Sequence, residues 1–308
     1  MGTADAIPGV SGGTVALILR IYERLVTAIS HFDLTLLQHV RRKKFVLAAQ
    51  HIDLRFLISL GFGIAIGLVG MLLVLGDLLK TPNTRPYTLA VFLGTIVASC
   101  ILVGKMVDTR FYPDKVVSLL LGLFGAAVAF SIYWFTTFGE RLTESNDPSY
   151  LYLFCCGAIA ICAMILPGIS GAMILLLFGV YTYLSDLGHG LKDGHDIGTS
   201  LLTIAVFGSG CAIGLISFSK VLRKLLRNYP SHTMATMCGF MMGALPKLWP
   251  FDIAKGGDPD HPRYYPLIPD TLDGQVLGVV VIALAAFVAV LVIDHFASRD
   301  EKTERPAN

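Results

Sequence analysis

The chain carries little charge: only 15% of its 308 residues are Asp, Glu, Lys or Arg, whereas 54% are hydrophobic. Soluble domains carry about 25% charged residues, so this composition and a mean hydropathy of +0.68 exclude an ordinary soluble protein. Metal-ligand spacing is also missing, because all six cysteines fall in apolar runs without histidine partners. We therefore expect an integral membrane protein without a metal or another cofactor.

Long uncharged runs supply the membrane-crossing segments, since a helix needs roughly 20 residues to cross the hydrocarbon core. One run, 149–185, has 37 residues and would form a helix of about 55 Å, which is too long for a single crossing. Pro167 and Gly168 lie at its midpoint, so we predict a helical hairpin that re-enters the membrane. The predicted spans are 56–76, 87–104, 116–139, 197–219, 228–246 and 274–293.

The sequence is internally duplicated. The stretch Ile7-Pro-Gly-Val-Ser-Gly-Gly-Thr14 returns 159 positions later as Leu166-Pro-Gly-Ile-Ser-Gly-Ala-Met173. Each half is predicted to contain one re-entrant hairpin and three transmembrane helices, and three is an odd number of crossings. We therefore expect an all-α fold with an inverted repeat, in which only seven residues precede Pro8 and the first hairpin arm is incomplete. One membrane domain covers 1–308, with repeat one at 1–144, repeat two at 145–298 and a polar cytoplasmic tail at 299–308.

Basic residues indicate the orientation. Fourteen Lys and Arg fall on the face that includes 31–51 and seven on the other, which places both termini in the cytoplasm. The cluster Arg41–Lys44 beside the spans is expected to contact anionic membrane lipids rather than nucleic acid. The sequence thus predicts a multi-pass protein of the cytoplasmic membrane.

The helix breaks at Pro8-Gly9 and Pro167-Gly168 leave backbone N–H groups without helical partners, and such groups bind anions. The alternative is that Ser and Thr merely cap their own helices. Asp5 and Glu23 are candidates for coupling to a proton or sodium ion, although Glu23 could instead pair with Arg20 or Arg24. The candidate anion-binding residues are Ser11, Gly12, Gly13, Thr14, Ser170 and Gly171.

The segment Met1–Thr14, followed by Ile21-Tyr-Glu-Arg-Leu25, resembles the signature of the bacterial polyprenyl-phosphate transporter family, and Pro167–Gly171 fits its second motif. The resemblance implies two opposed re-entrant hairpins and a flippase that returns undecaprenyl phosphate from the outer to the inner leaflet for peptidoglycan synthesis. Such a protein is not an enzyme, and its partner is the lipid carrier. Arg20 departs from the expected glycine, and is either an added phosphate contact or a substitution without consequence.

Two other functions fit part of the pattern. Gly9-Val-Ser-Gly-Gly13 matches serine-hydrolase motifs, so an intramembrane hydrolase using Ser11 is one alternative. Such a serine needs a general base, and the eight histidines lie in loops or near helix ends. A transporter of a small soluble anion would share every physical feature and differ only in its ligand.

Overall fold

The computed structural model describes residues 1–2, 12–107, 112–138, 148–184, 187, 197–258, 261–269, 271 and 273–304. Asp5, Pro8, Gly9 and Ser11 lie outside the described residues. The described chain is mainly helical, as expected. Its helices are α1 Gly12–Ile18, α2 Tyr22–Ser30, α3 Leu34–Arg41, α4 Phe45–His51, α5 Leu54–Lys80, α6 Arg85–Lys105, α7 Tyr112–Phe138, α8 Tyr150–Ile165, α9 Gly171–Leu177, α10 Ile197–Asn228, α11 Pro230–Ala244 and α12 Gly274–Glu304.

Within the described chain, four helices are long and apolar enough to cross a membrane, and a bent pair is a fifth candidate. The pair consists of Phe45–His51 and Leu54–Gly70, which meet at 61°. The predicted run 228–246 forms α11, but at 15 residues this helix is shorter than a full crossing. A 3-10 turn, Leu245–Leu248, follows it directly. The four single-helix candidates are Arg85–Lys105, Asp114–Phe138, Gly198–Asn228 and Gly274–His295.

The long helices pack in pairs that cross between the halves. α6 packs against α12, and α11 packs against α7. Glycines bring these backbones into contact: a Cβ on Gly94 would strike the carbonyl oxygen of Ala283, and one on Gly239 would strike that of Gly122. The second span of each half thus packs against the third span of the other. A duplicated chain related by a two-fold axis would pack in this way, although the opposite orientation of the halves stays a prediction.

The fold-back predicted within 149–185 is present as a helical hairpin. α8 ends at Ile165, the chain turns through Leu166–Ser170, and α9 packs back against α8. The Tyr152 hydroxyl donates a hydrogen bond of 2.8 Å to the Phe178 carbonyl oxygen, which ties the far ends of the hairpin together. Its re-entry into a membrane stays a prediction.

The duplication extends to backbone geometry beyond the motif. Arg20 has φ +56°, and Gly179, which is 159 positions later, has φ +68°. The Arg20 N–H donates to the Leu17 carbonyl, as Gly179 does to Leu176, and the next residue in each copy closes the matching longer bond. A left-handed φ favours glycine. This explains why the family is expected to have glycine at the position that Arg20 occupies in this chain.

One region departs from the all-α prediction. Two strands, β1 Asp252–Asp258 and β2 His261–Pro266, form an antiparallel hairpin after α11. The Tyr265 ring lies 5.7 Å from that of Phe138 at the end of α7. The Trp249 indole donates to the Leu267 carbonyl at 2.8 Å, closing the base of the hairpin. The sequence predicted only a loop here because Pro, Gly and Asp suppress the strand pattern.

Candidate functional site

The helix that follows the first repeated motif lies beside the hairpin that contains the second motif. Tyr22, which is 1% exposed, donates a hydrogen bond of 3.1 Å from its hydroxyl to the carbonyl oxygen of Ile165, where α8 ends. α1 also contacts α8 directly. Leu17 and Met241 belong to one buried cluster, and the Met241 backbone is in turn the surface against which Gly168 packs. The C-terminal part of α1 and the turn of the second hairpin therefore pack against one buried cluster.

The first motif is buried from Gly12 to Thr14. Thr14 is 1% exposed, and its Oγ1 has no hydrogen-bond partner among the residues that the structure describes. Leaving a buried hydroxyl unpaired costs about 1–3 kcal/mol, so such a group commonly marks a functional position or a bound polar partner. Thr14 thus has a buried hydroxyl without a partner among the described residues, as Ser118, Thr137 and Ser219 also have.

The second motif is shaped by Gly168. Its φ of +87° lies in the left-handed region, and a Cβ there would lie 2.7 Å from the backbone nitrogen of Met241. Ser170 occupies the N-cap of α9, but within the described structure its side chain makes no capping hydrogen bond. The alternative that this serine merely caps its helix is therefore not what the structure shows. A free hydroxyl is present at each motif.

A small cavity adjoins the turn of the second hairpin, at the ends of α7 and α11. Its volume is about 10 Å³, which is room for about one water molecule. A phosphate group therefore has no room here in this conformation. Lys247, in the 3-10 turn, is the one charged residue among those that line it. The lining residues are Ala129, Ile132, Tyr133, Gly168, Ile169, Met173, Ala244 and Lys247.

Lys247 is a residue that sequence reasoning missed. Burial lowers the pKa of its ammonium group, nearby Arg85 lowers it further, and Asp252 raises it. Arg85 binds Asp252 through two hydrogen bonds of 3.0 and 2.8 Å and lies over the Tyr264 ring at 3.3 Å. No sequence signal indicates this arrangement, because 167 positions separate Arg85 from Asp252.

The charged candidates near the first motif lie elsewhere. Arg20, with 48% of its side chain exposed, is at the far end of α1 from Gly12, and its Nη2 lies 3.4 Å from the Asp294 carboxylate. Arg24 pairs with Asp53 at 2.6 Å. Glu23 is exposed and forms no ion pair within the described part of the chain. The predicted pairing of Glu23 with Arg20 or Arg24 is therefore wrong.

The described histidines give no support to a serine hydrolase at the second motif. Ser170 has no hydrogen bond to any histidine that the structure describes. His31 stacks on His51 at 4.6 Å, and His51 lies 3.1 Å from Asp33, so these rings belong to a separate cluster. In the described ranges, no group of three or more His, Cys, Asp or Glu could hold a metal ion.

These features define a multi-helix membrane protein in which the helix after the first glycine-serine motif packs beside the hairpin of the second. The family described as VCA0040-like, undecaprenyl phosphate translocase-like, matches residues 1–257, so the chain belongs to this family. This confirms the resemblance seen in the sequence.

Two curated relatives are both named polyprenyl-phosphate transporter. The protein from Vibrio cholerae serotype O1 is 38% identical over 251 residues, which covers 82% of this chain and 75% of the relative. The protein from Staphylococcus aureus is 31% identical over 263 residues, covering 81% and 83% respectively. These names indicate a transporter rather than an enzyme. No solved structure matches the chain.

Proposed function

We propose that this protein transports polyprenyl phosphate across the bilayer, and that the phosphate head passes between the two repeated motifs. Two observations support the proposal: α1, which follows the first motif, packs beside the second hairpin, and Thr14 and Ser170 each hold a hydroxyl that no described residue occupies. The names of the two relatives point to the same substrate class.

The substrate makes unequal demands on its carrier. Its phosphate head is anionic and is costly to bring into hydrocarbon, whereas its isoprenoid tail is soluble in lipid. Only the head needs a polar path. In the proposal, the backbone N–H groups and hydroxyls at Ser11–Thr14 and Ser170–Gly171 replace part of the water around the phosphate.

We further propose movement from the outer to the inner leaflet of the bacterial cytoplasmic membrane by alternating access. The reciprocal packing of α6 with α12 and of α11 with α7 supports two related halves that rock against each other. The small cavity at Gly168 then corresponds to a closed conformation. Asp5 and Glu23 stay candidates for coupling to a proton or sodium ion.

Transport by reconstituted protein tests the proposal. Vesicles containing undecaprenyl phosphate in one leaflet would be scored for its appearance in the other, with the wild type and with Ser11→Ala and Ser170→Ala. We expect each substitution to slow transport about tenfold, because a hydrogen bond to a charged group is worth about 1.5–3 kcal/mol. Ser209→Ala is the matched control, since its exposed hydroxyl donates only to Val206 in its own helix.

Parallel vesicles loaded with soluble inorganic phosphate separate the lipid substrate from a small anion. Transport of inorganic phosphate but not of undecaprenyl phosphate would favour the small-anion transporter. Wild-type rates in both serine variants, at equal protein content, would remove the motifs from the pathway.

A further inference from the structure

Lys247 occupies an unusual place for a lysine that follows an apolar helix. It follows α11 directly and lines the cavity whose other wall is the Gly168–Ile169 turn of the second hairpin. By contrast, Lys105, at the end of α6 in the other half, is exposed to the surroundings. Exposure is the usual arrangement, because a lysine near a helix end extends its ammonium group toward water. The enclosure of Lys247 beside the turn therefore requires a reason.

The carboxylate near Lys247 is bound to another residue. Both carboxylate oxygens of Asp252 accept hydrogen bonds from Arg85. Within the described structure, Lys247 itself forms no hydrogen bond or salt bridge. Lys247 thus lies near a carboxylate that Arg85 already binds, and beside a turn whose Ser170 hydroxyl forms no capping hydrogen bond in the described structure.

An enclosed cation without its own counter-ion is unfavourable, and an anion that arrived beside it would remove much of this cost. Burial and the neighbouring Arg85 both disfavour the charged form of Lys247 and lower its pKa, and a negative group bound beside it would favour that form. The remaining lining residues are apolar apart from Tyr133, so the walls also suit the first carbons of a lipid tail. The chemistry that fits is a singly attached phosphate on an apolar chain.

We propose that Lys247 binds the phosphate head of polyprenyl phosphate at the turn of the second hairpin, when α9 moves away from α7 and widens the cavity. This inference rests on the proposed function and adds the cation that the repeated motifs lack. Met173 lines the same cavity with a flexible side chain, which allows the space to change without breaking the turn.

Binding by the purified full chain tests the assignment through its dependence on the head group. The ligands are farnesyl phosphate, the neutral alcohol farnesol, and inorganic phosphate. The variants are Lys247→Met and Lys247→Gln, which remove the charge, and Lys247→Arg, which retains it. Lys224→Met is the matched control, because Lys224 is an exposed lysine on α10.

We expect both neutral variants to weaken farnesyl phosphate binding about tenfold or more, since the lost contact is charge-assisted. Farnesol binding is expected to stay unchanged, Lys247→Arg to restore most of the affinity, and Lys224→Met to match the wild type. Inorganic phosphate is expected to bind more weakly than farnesyl phosphate, because it lacks the apolar chain.

Three results would overturn the assignment. In the first, the neutral variants bind farnesyl phosphate as the wild type does. In the second, they lose farnesol and farnesyl phosphate equally, which is the effect of a purely structural lysine. In the third, inorganic phosphate binds as tightly as farnesyl phosphate and with the same dependence on Lys247, which makes the ligand a soluble anion.

The proposed function can fail separately. If the wild type binds farnesyl phosphate through Lys247 but does not move undecaprenyl phosphate between leaflets, the anion site stands and the transport proposal falls. A melting temperature measured for each variant without ligand shows whether the compared proteins are folded. Because Lys247→Met and Lys247→Gln both remove the charge, each one tests the loss of farnesyl phosphate binding independently of the other.

Discussion

The unpaired hydroxyl of Thr14 leads to a prediction that separates stability from transport. Replacing Thr14 with Val keeps the shape of the side chain and removes only the polar group. Since an unsatisfied buried hydroxyl costs about 1–3 kcal/mol, we expect Thr14→Val to raise the free energy of unfolding by about 1 kcal/mol. For a chain of this size, that change raises the melting temperature by roughly 2–4 °C.

Transport should change in the opposite direction. If the Thr14 hydroxyl donates to the phosphate head, its loss removes a hydrogen bond to a charged group and slows transport about tenfold. Stabilisation with loss of activity is the pattern expected of a residue kept for function at a cost in stability. A purely structural threonine would not produce it.

Thr203→Val is the matched control. Thr203 is 0% exposed, but its hydroxyl donates to the Thr199 carbonyl at 2.9 Å, so it is satisfied within its own helix. We expect this substitution to lower stability by about 0.5–1 kcal/mol and to leave transport unchanged.

Thermal unfolding can be followed with a thiol-reactive dye, because Cys100 and Cys156 are buried and become reactive when the helices separate. Transport is measured in vesicles with the same protein preparations. If Thr14→Val lowers stability as Thr203→Val does, or transports at the wild-type rate, the reasoning about an available hydroxyl is refuted.

Three further substitutions test particular contacts by melting temperature and transport. Gly168→Ala is expected to lower the free energy of unfolding by about 2–4 kcal/mol, because it adds left-handed strain and a clash with the Met241 backbone. The control Gly208→Ala meets no described atom within 4 Å and should be neutral or stabilising. Equal melting temperatures for the two variants would contradict this prediction. Arg20→Gly should change the free energy of unfolding by no more than about 1 kcal/mol and leave transport intact, since glycine suits φ +56°. A large loss of transport would instead indicate that Arg20 contacts the phosphate. Asp252→Asn should lower the free energy of unfolding by about 2 kcal/mol because it removes the carboxylate that Arg85 binds and that lies near Lys247, and an unchanged melting temperature would refute that role.

The second hairpin could be predicted from the sequence because its cause is local and strict. An uncharged run of 37 residues exceeds the thickness of the membrane, and Pro167-Gly168 is the place in it where a helix breaks most readily. The structure extends the repeat offset of 159 to the backbone, since Arg20 and Gly179 both have left-handed φ values that the sequence did not predict.

The ion pairs could not be predicted because they depend on residues that are distant in sequence. Pairing of Glu23 with Arg20 or Arg24 was one alternative, but Asp53, between α4 and α5, binds Arg24, and Asp294 of α12 lies beside Arg20. The β-hairpin was missed for a related reason, since its side chains gain their partners at the ends of α6 and α7. Tertiary contacts decide these features, and local propensity does not.

The two motifs differ in a way that suits a carrier under the proposed function. The first has Gly13 and the unpaired Thr14 hydroxyl, whereas the second has Ala172 and Met173 and adjoins the cation of Lys247. A phosphate held by all of these groups at once would be bound too tightly to leave, because binding that stabilises one state lowers the rate of escape from it. Unequal motifs that contact the phosphate head at different steps allow the head to be released. Lys247 would draw the anion to the second hairpin, and the neutral donors of the first would then receive it as the halves rock.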